Sequence, residues 1–433
     1  MDRSHGKLIF IFSHIRQDVL NKQETFSGRQ VLPLCLPALS VNAWALEPQP
    51  LAKQLRTAAA KHPGLHQLLL SCCGHPRSVF DGITVAVSQS GLLLTSPGDV
   101  ELINARRTIM TVCKFNHLEN DDFIHKTAQR WFNVNSPLSR DELARDGLLL
   151  TIPNDEACRV VEILHPLVLQ WWAERNAAGS ALAFHLHNAY TSDALLKPFA
   201  EKAMEELVYH YEAVLRTALQ GSEFSLKNFY KSEHFGVDFE DIVVRAKTPG
   251  AKELVRIVPD FKNRRLLLHL LTEGFIVVSK DPKEGGIEYL SPFTTSDGDL
   301  IVAAVQCKFV LKISSWKTLN RDLSRAMDIL KDMGINCFPV VYTTSDQAHI
   351  HPTSMHANGV YFTAGDLFAF VQKLGPLRLN ILKPCKEVKK DYPWLDCGII
   401  PDQAASYRGA DMWTQAPLDP HLKGRSARPM RPH

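Results

Sequence analysis

Gln306 and Lys308 stand one residue apart in the run GDLIVAAVQCKF, Gly298 to Phe309. In a strand, residues two apart share a face, so an amide and an ammonium are presented together at the end of an otherwise apolar stretch. Such a face is either the wet end of a strand or half of a site. In a site, the amide would offer a neutral oxygen or an N–H and the lysine a positive charge. Further along, Lys317, Arg321 and Arg325 recur at i, i+4 and i+8. On a helix that spacing makes a basic stripe, either a solvated face or a surface that meets phosphates.

The elements around this run have a readable order. Phe239, Ile242, Val243 and Ala246 fall at i, i+3, i+4 and i+7 and predict a helix face, with Glu240 on that helix. RRLLLHLL, GFIVVS and GIEYL predict strands, with KDPKEGG as the turn between the last two. SWKTLNRDLSRAMDILKDMG predicts a helix with Leu319, Leu323, Ala326, Met327 and Leu330 on one face, and NCFPVVYTT a buried strand. Upstream, EACRVVEILHPLVLQWWAE and LLKPFAEKAMEELVYHYEAVLRTAL predict long amphipathic helices. SPLSRDELARDGLLLTI has a capping box from Ser139 to Glu142, a Gly147 stop and an apolar strand, the local order of a winged-helix unit.

Helix, strands, QCK strand, helix, strand, over residues 235 to 344, resembles the PD-(D/E)xK nuclease superfamily. The resemblance implies a restriction-endonuclease-like fold that binds Mg²⁺ or Mn²⁺ and cuts DNA. It assigns Gln306 to the Glu/Gln position, Lys308 to the catalytic lysine and Glu240 to the first-helix acid. The middle acid is left open. Asp297 or Asp299, in TTSDGDLIV, fits the motif order, but Asp-Gly is also a hairpin-turn signal, so Glu288 on the preceding strand is kept in reserve. Metal ligands are then drawn from Asp297, Asp299, Glu288 and Gln306. Lys317, Arg321 and Arg325 are the nucleic-acid candidates.

FSGRQVLPLCLPAL followed by HQLLLSCCGHPRS resembles the later part of the ATPase module of Crinkler effectors and retrotransposon hot spot proteins. The sharpest piece is Gly74-His75-Pro76-Arg77, whose arginine lies on the lid side of the nucleotide site in that family. The resemblance implies an effector that reaches a host nucleus, with DNA or host proteins as partners. SHGKLIF has a Gly-Lys without the glycine spacing or the Ser/Thr of a phosphate loop, and LIFIF does not end in an acid. No ATP binding or hydrolysis is expected, and the N-terminal part is read as a remnant, either of a chain that has lost upstream sequence or of a gene model that begins late.

Composition bounds these readings. The chain has 433 residues, 45% hydrophobic and 22% charged, which are globular values for two or three domains. Its 49 basic and 46 acidic residues give +3, a balance that leaves nucleic acid open. Nine cysteines without a CxxC pair predict reduced thiols inside a cell rather than a disulfide framework or a zinc finger. There is no run of about twenty apolar residues, so no membrane partner is expected. The fold class expected is a multidomain α/β and α+β chain: an ATPase remnant over 1–100, a helical, winged-helix-like middle over 101–221, a nuclease-like mixed sheet flanked by helices over 222–372, and an irregular basic tail over 373–433.

Overall fold

The computed structural model describes residues 121–136, 149–153, 160–191, 200–280, 286–309, 316–345 and 356–374. The 1–100 segment with Arg77, the Ser139 capping box and nearly all of the basic tail lie outside the described residues.

The centre of the fold is β9, Leu300–Lys308. Its small and β-branched residues are buried on both faces, as a strand covered by helices on both sides requires. On one side it pairs antiparallel with β8, Tyr289–Thr295, and on the other parallel with β10, Cys337–Thr343. The β8–β9 hairpin closes at Ser296-Asp297-Gly298, where Gly298 takes a φ of 91° and its N–H donates to the Thr295 carbonyl at 3.0 Å. The strand pair β6, Val255–Val258, and β7, Ile276–Ser279, is parallel, and β7 is antiparallel to β8. The rest of this curled mixed sheet is β5, Val243–Arg245, on β8, then β3, Glu223–Ser225; and β11, Val360–Phe362, on β10, then β4, His234–Phe235.

Two apolar cores lie on the two faces of β9. The face of Val302 and Ala304 is covered by Leu267 and Leu271 and by Leu319, Leu323, Ala326, Met327 and Leu330, the stripe read from the sequence on the Trp316–Asp332 helix. The face of Ala303, Val305 and Cys307 packs in one continuous cluster with Ile124, Trp172, Leu186, Val208, Leu215 and Phe370. Those residues belong to α1, Asp121–Phe132; α2, Pro166–Asn176; α3, Ala181–Thr191; α4, Ala200–Ala218; and, near the end, Ala364–Val371. In chain order the remaining helices are α5, Leu226–Tyr230; α6, Arg264–Glu273; α7, Trp316–Asp332; and α8, Ala364–Val371.

Three expected elements differ. RRLLLHLL is not a strand but α6, opened by the Asn263 side chain accepting from the Leu266 N–H at 3.1 Å and closed by Gly274 at φ 95°. The Phe239–Ala246 stretch is not a helix: the Phe239 N–H donates to the Gly236 carbonyl in a turn, and the chain then enters β5. The first half of EACRVVEILHPLVLQWW is a strand, β2, Val160–Leu164, antiparallel to β1, Leu149–Pro153. Its β-branched residues pair with β1, and Pro166 at the first helical turn starts α2 after it. Among the described residues no helix is long and apolar enough to cross a membrane.

α4 is fixed to the sheet by polar groups in the core. Glu212 Oε1 accepts the hydroxyls of Tyr289 on β8 and Tyr342 on β10, each at 2.8 Å. Arg216, fully buried one turn on, donates from Nη2 to the carbonyls of Lys247 at 2.5 Å and Gly274 at 2.9 Å. Burial pushes the Glu212 carboxyl up and the Arg216 guanidinium down to about 10, each opposed by the other's charge. Replacing Arg216 alone with Met leaves two carbonyls without their donor and removes a charge that opposes protonation of Glu212, and we expect a loss of at least about 2 kcal/mol in urea denaturation. The Glu212→Gln/Arg216→Met pair should recover part of it.

Candidate functional site at the end of the central strand

Alternation along β9 sets Gln306 and Lys308 on the face of Val302 and Ala304. The register of the β8–β9 pair, with Tyr289 opposite Val305, puts Glu288 beside Gln306 on the neighbouring strand. The Glu288 N–H donates to the Val305 carbonyl at 2.9 Å. Its carboxylate then takes the ladder position beyond, where Oε2 accepts from the Cys307 N–H at 3.0 Å. The other oxygen, Oε1, lies 3.9 Å from Lys308 Nζ. Glu288, Gln306 and Lys308 are thus brought together at one edge of the sheet.

Burial decides the character of this group. Glu288 is 5% exposed and Gln306 3% exposed, whereas the Lys308 side chain keeps 30% of its surface. Gln306 Oε1 is buried with no hydrogen-bond partner among the described residues. An orphaned carbonyl oxygen in a protein interior costs free energy and is a feature that a ligand can answer. Burial also pushes the Glu288 carboxyl up to about 8. The nearby Lys308 charge opposes this, Glu205 on α4 adds to it by like-charge repulsion, and the Cys307 N–H opposes it. Cys307 faces the other core, and burial holds its thiol well above the usual range.

The other candidates lie elsewhere. Asp297 and Asp299 are exposed in the β8–β9 turn, at the opposite end of β9, which begins about 20 Å from Gln306 along the strand. Asp299 serves the turn, where its N–H meets Thr295 Oγ1 at 3.1 Å and its carbonyl accepts from the Thr295 N–H at 2.9 Å. Glu240 is exposed on the segment before β5, and β5 joins β8 at Thr294 and Thr295, the turn end again. It is not on a helix and it does not meet Lys308. Lys317, Arg321 and Arg325 are exposed on the outer side of α7, away from its apolar stripe. Lys317 is in the first turn of the helix that follows β9, and Arg321 lies 3.5 Å from Asp322.

Two residues at the site carried little sequence signal. Glu205 sits beside Glu206 on a helix, a pattern that usually means a solvated face. Gly286 read only as part of a turn, yet it lies against the Gln306 amide. As a cation site the group offers one carboxylate and one carbonyl oxygen. That is a minimal set for Mg²⁺, which keeps several waters and uses one or two protein carboxylates. Among the described residues no group of three His, Cys, Asp or Glu is placed to hold a metal.

The chain matches no protein-family model, no curated protein and no solved structure.

The raised Glu288 carboxyl has a consequence for stability. Unfolded, the carboxyl ionises above about 4.5; folded, above about 8. Between those values the folded chain binds the extra proton. Its contribution is therefore complete below pH 4.5 and lost as pH rises through 8, with a slope of up to ~1.4 kcal/mol per pH unit. Glu288→Gln keeps the shape and removes the titration. Urea unfolding between about pH 5 and 8.5 should show the variant gaining on the wild type as pH rises.

Proposed function

We propose that residues 222–372 form a nuclease-like domain that acts on DNA with a divalent cation, at low activity. The observation that carries this reading is the meeting of Glu288, Gln306 and Lys308 across the β8–β9 pair. The order β7, β8, β9, α7, β10, with β9 and β10 parallel, supports it, as the part of the resembling order that stands once the Phe239–Ala246 helix is removed. In that reading Glu288 takes the middle acidic position that the sequence left open. Glu288 and Gln306 would hold Mg²⁺ or Mn²⁺. The bound ion would polarise the phosphate and lower the pKa of a water. Lys308, partly open to solvent, would hold the scissile phosphate and meet the charge that grows on it. Glu288 must release its proton before it can serve as a ligand, so cation binding should strengthen as pH rises.

A specific feature favours a second reading, in which the same surface binds nucleic acid or a host protein without cutting. Gln306 contributes a neutral oxygen where a carboxylate would bind the ion more strongly, and Glu288 carries a proton at neutral pH. The wider Crinkler-type effector reading rests on residues 24–345 of the sequence and on Gly74-His75-Pro76-Arg77, with no nucleotide bound.

Plasmid nicking with Mg²⁺ or Mn²⁺ separates the two. Under the first reading, Mn²⁺ supports slow nicking, Lys308→Ala lowers it by about a hundredfold or more, and Gln306→Glu raises it. If no divalent ion supports nicking by either the wild type or Gln306→Glu, the catalytic reading fails. For the stripe on α7, each phosphate that the protein ceases to neutralise should reduce the slope of log affinity against log salt by about 0.9 on duplex DNA. Neutralising Lys317, Arg321 and Arg325 together should therefore flatten that slope, measured by fluorescence anisotropy. An unchanged slope would mean the stripe is a solvated face.

A further inference from the structure

We infer that His185 and His210 form an acid-opened latch, a pair of imidazoles with one proton between them that ties α3 and α4 to the chain entering β6 and comes apart when a second proton is added. His185 is on α3 and fully buried, and His210 is on α4. Their Nδ1 atoms lie 3.1 Å apart. On the far side of its ring, His185 Nε2 accepts the Leu254 N–H at 2.9 Å. A backbone N–H can only donate, so this contact fixes the state of the ring. Nε2 carries no hydrogen, and His185 is the neutral tautomer with its proton on Nδ1. That proton points at His210, whose Nδ1 must then accept. His210 is therefore neutral too, with its own proton on Nε2.

The bonds run one way, from Leu254 to His185 and from His185 to His210. A further proton cannot enter without breaking one of them. On His210 Nδ1 it faces the His185 proton across 3.1 Å. If His185 changes tautomer to accept it, its Nε2–H faces the Leu254 N–H instead. The surroundings weigh on the same balance. Burial first, and then the Arg216 charge on α4, push the His185 imidazole down to about 3. Before β6, Lys252 Nζ lies 4.9 Å from the centre of the Phe184 ring, and Glu253 is turned to Arg256 at 3.3 Å. On α4 the Tyr209 ring packs on His210 with centroids 4.7 Å apart, and Glu205 and Glu206, whose charges act on Tyr209, are the carboxylates on that side. Unfolded, His185 takes up a proton below about 6.5; folded, only near 3. Its contribution to stability is therefore complete above pH 6.5 and lost as pH falls from 6.5 towards 3. Each histidine that the fold keeps neutral raises the unfolding constant by about 25-fold between pH 7 and 5.

The test is nitrogen NMR of the full chain labelled at histidine, with amide exchange and urea unfolding followed over the same pH range. At neutral pH, His185 should carry its hydrogen on Nδ1 and His210 on Nε2. On acidification, the Leu254 amide should lose protection relative to that of Ile276, whose N–H donates to the Leu254 carbonyl at 2.7 Å. His210→Asn keeps an acceptor oxygen near the place of Nδ1 and removes one titration. It should keep Leu254 protected in acid and show a rise in the unfolding constant smaller by about 25-fold than the wild type's. Either ring in the opposite tautomer at neutral pH overturns the inference. So does a His210 that takes up its proton while Leu254 stays protected, or an acid response equal in wild type and His210→Asn. Should His210→Asn fail to fold, the tautomers and the Leu254 exchange of the wild type decide alone.

Discussion

Because β9 is buried on both faces, Gln306 near its end has no bulk water to turn to. That constraint organises the whole region. The strand can be Leu, Ile, Val or Ala from Leu300 to Val305 without consequence, but Gln306 in the same environment must find partners or bear a cost. The chain answers at three levels. Glu288 arrives on the neighbouring strand and takes the Cys307 N–H. Lys308, one step nearer the surface, brings a charge within 3.9 Å of the Glu288 carboxylate. Gln306 Oε1 is left over. A strand end whose residues were chosen only for solubility would show them exposed, and here two of the three are almost fully buried.

The position of that edge depends on α4. Apolar packing alone would allow a helix to slide on a sheet by a fraction of a turn at small cost, since apolar attraction has little direction. Glu212 removes that freedom by reaching β8 and β10 at once, through Tyr289 and Tyr342 on either side of β9. Arg216 adds carbonyls from the chain just after β5 and from the end of α6. One helix therefore sets the relative position of three strands, and it also carries Glu205, whose charge helps to hold the proton on Glu288. The helical part and the sheet are mechanically one body in this respect, as their shared apolar cluster also indicates.

What was legible in the sequence followed from strong periodicity. β9, α7 and β10 could be read because an apolar run, a 3.6-residue stripe and another apolar run leave little choice. Gln306 and Lys308 could be assigned to one face by alternation alone. α6 was not legible as a helix, because a block of five leucines interrupted by one histidine suits a buried strand as well as a short helix, although Asn263 and Gly274 carried the cap signals. The Phe239–Ala246 spacing imitated a helix face, but pairing of β5 with β3 and β8 decided its conformation. Glu288 could not be preferred from sequence, since its place depends on the register of the hairpin. The same hairpin removes Asp297 and Asp299 from the site, and Asp-Gly had announced its turn.

The charge balance of the site ties its two readings together. With its proton on, Glu288 leaves the Lys308 charge opposed by that of Glu205, the other charged side chain that acts on its carboxyl. Ionised, Glu288 sets a second negative charge beside Lys308. Under the proposed function, a phosphate would be met through Lys308, and a divalent cation would be held only to the extent that Glu288 gives up its proton. The non-cutting reading and the catalytic one therefore part at a single group, the Glu288 carboxyl.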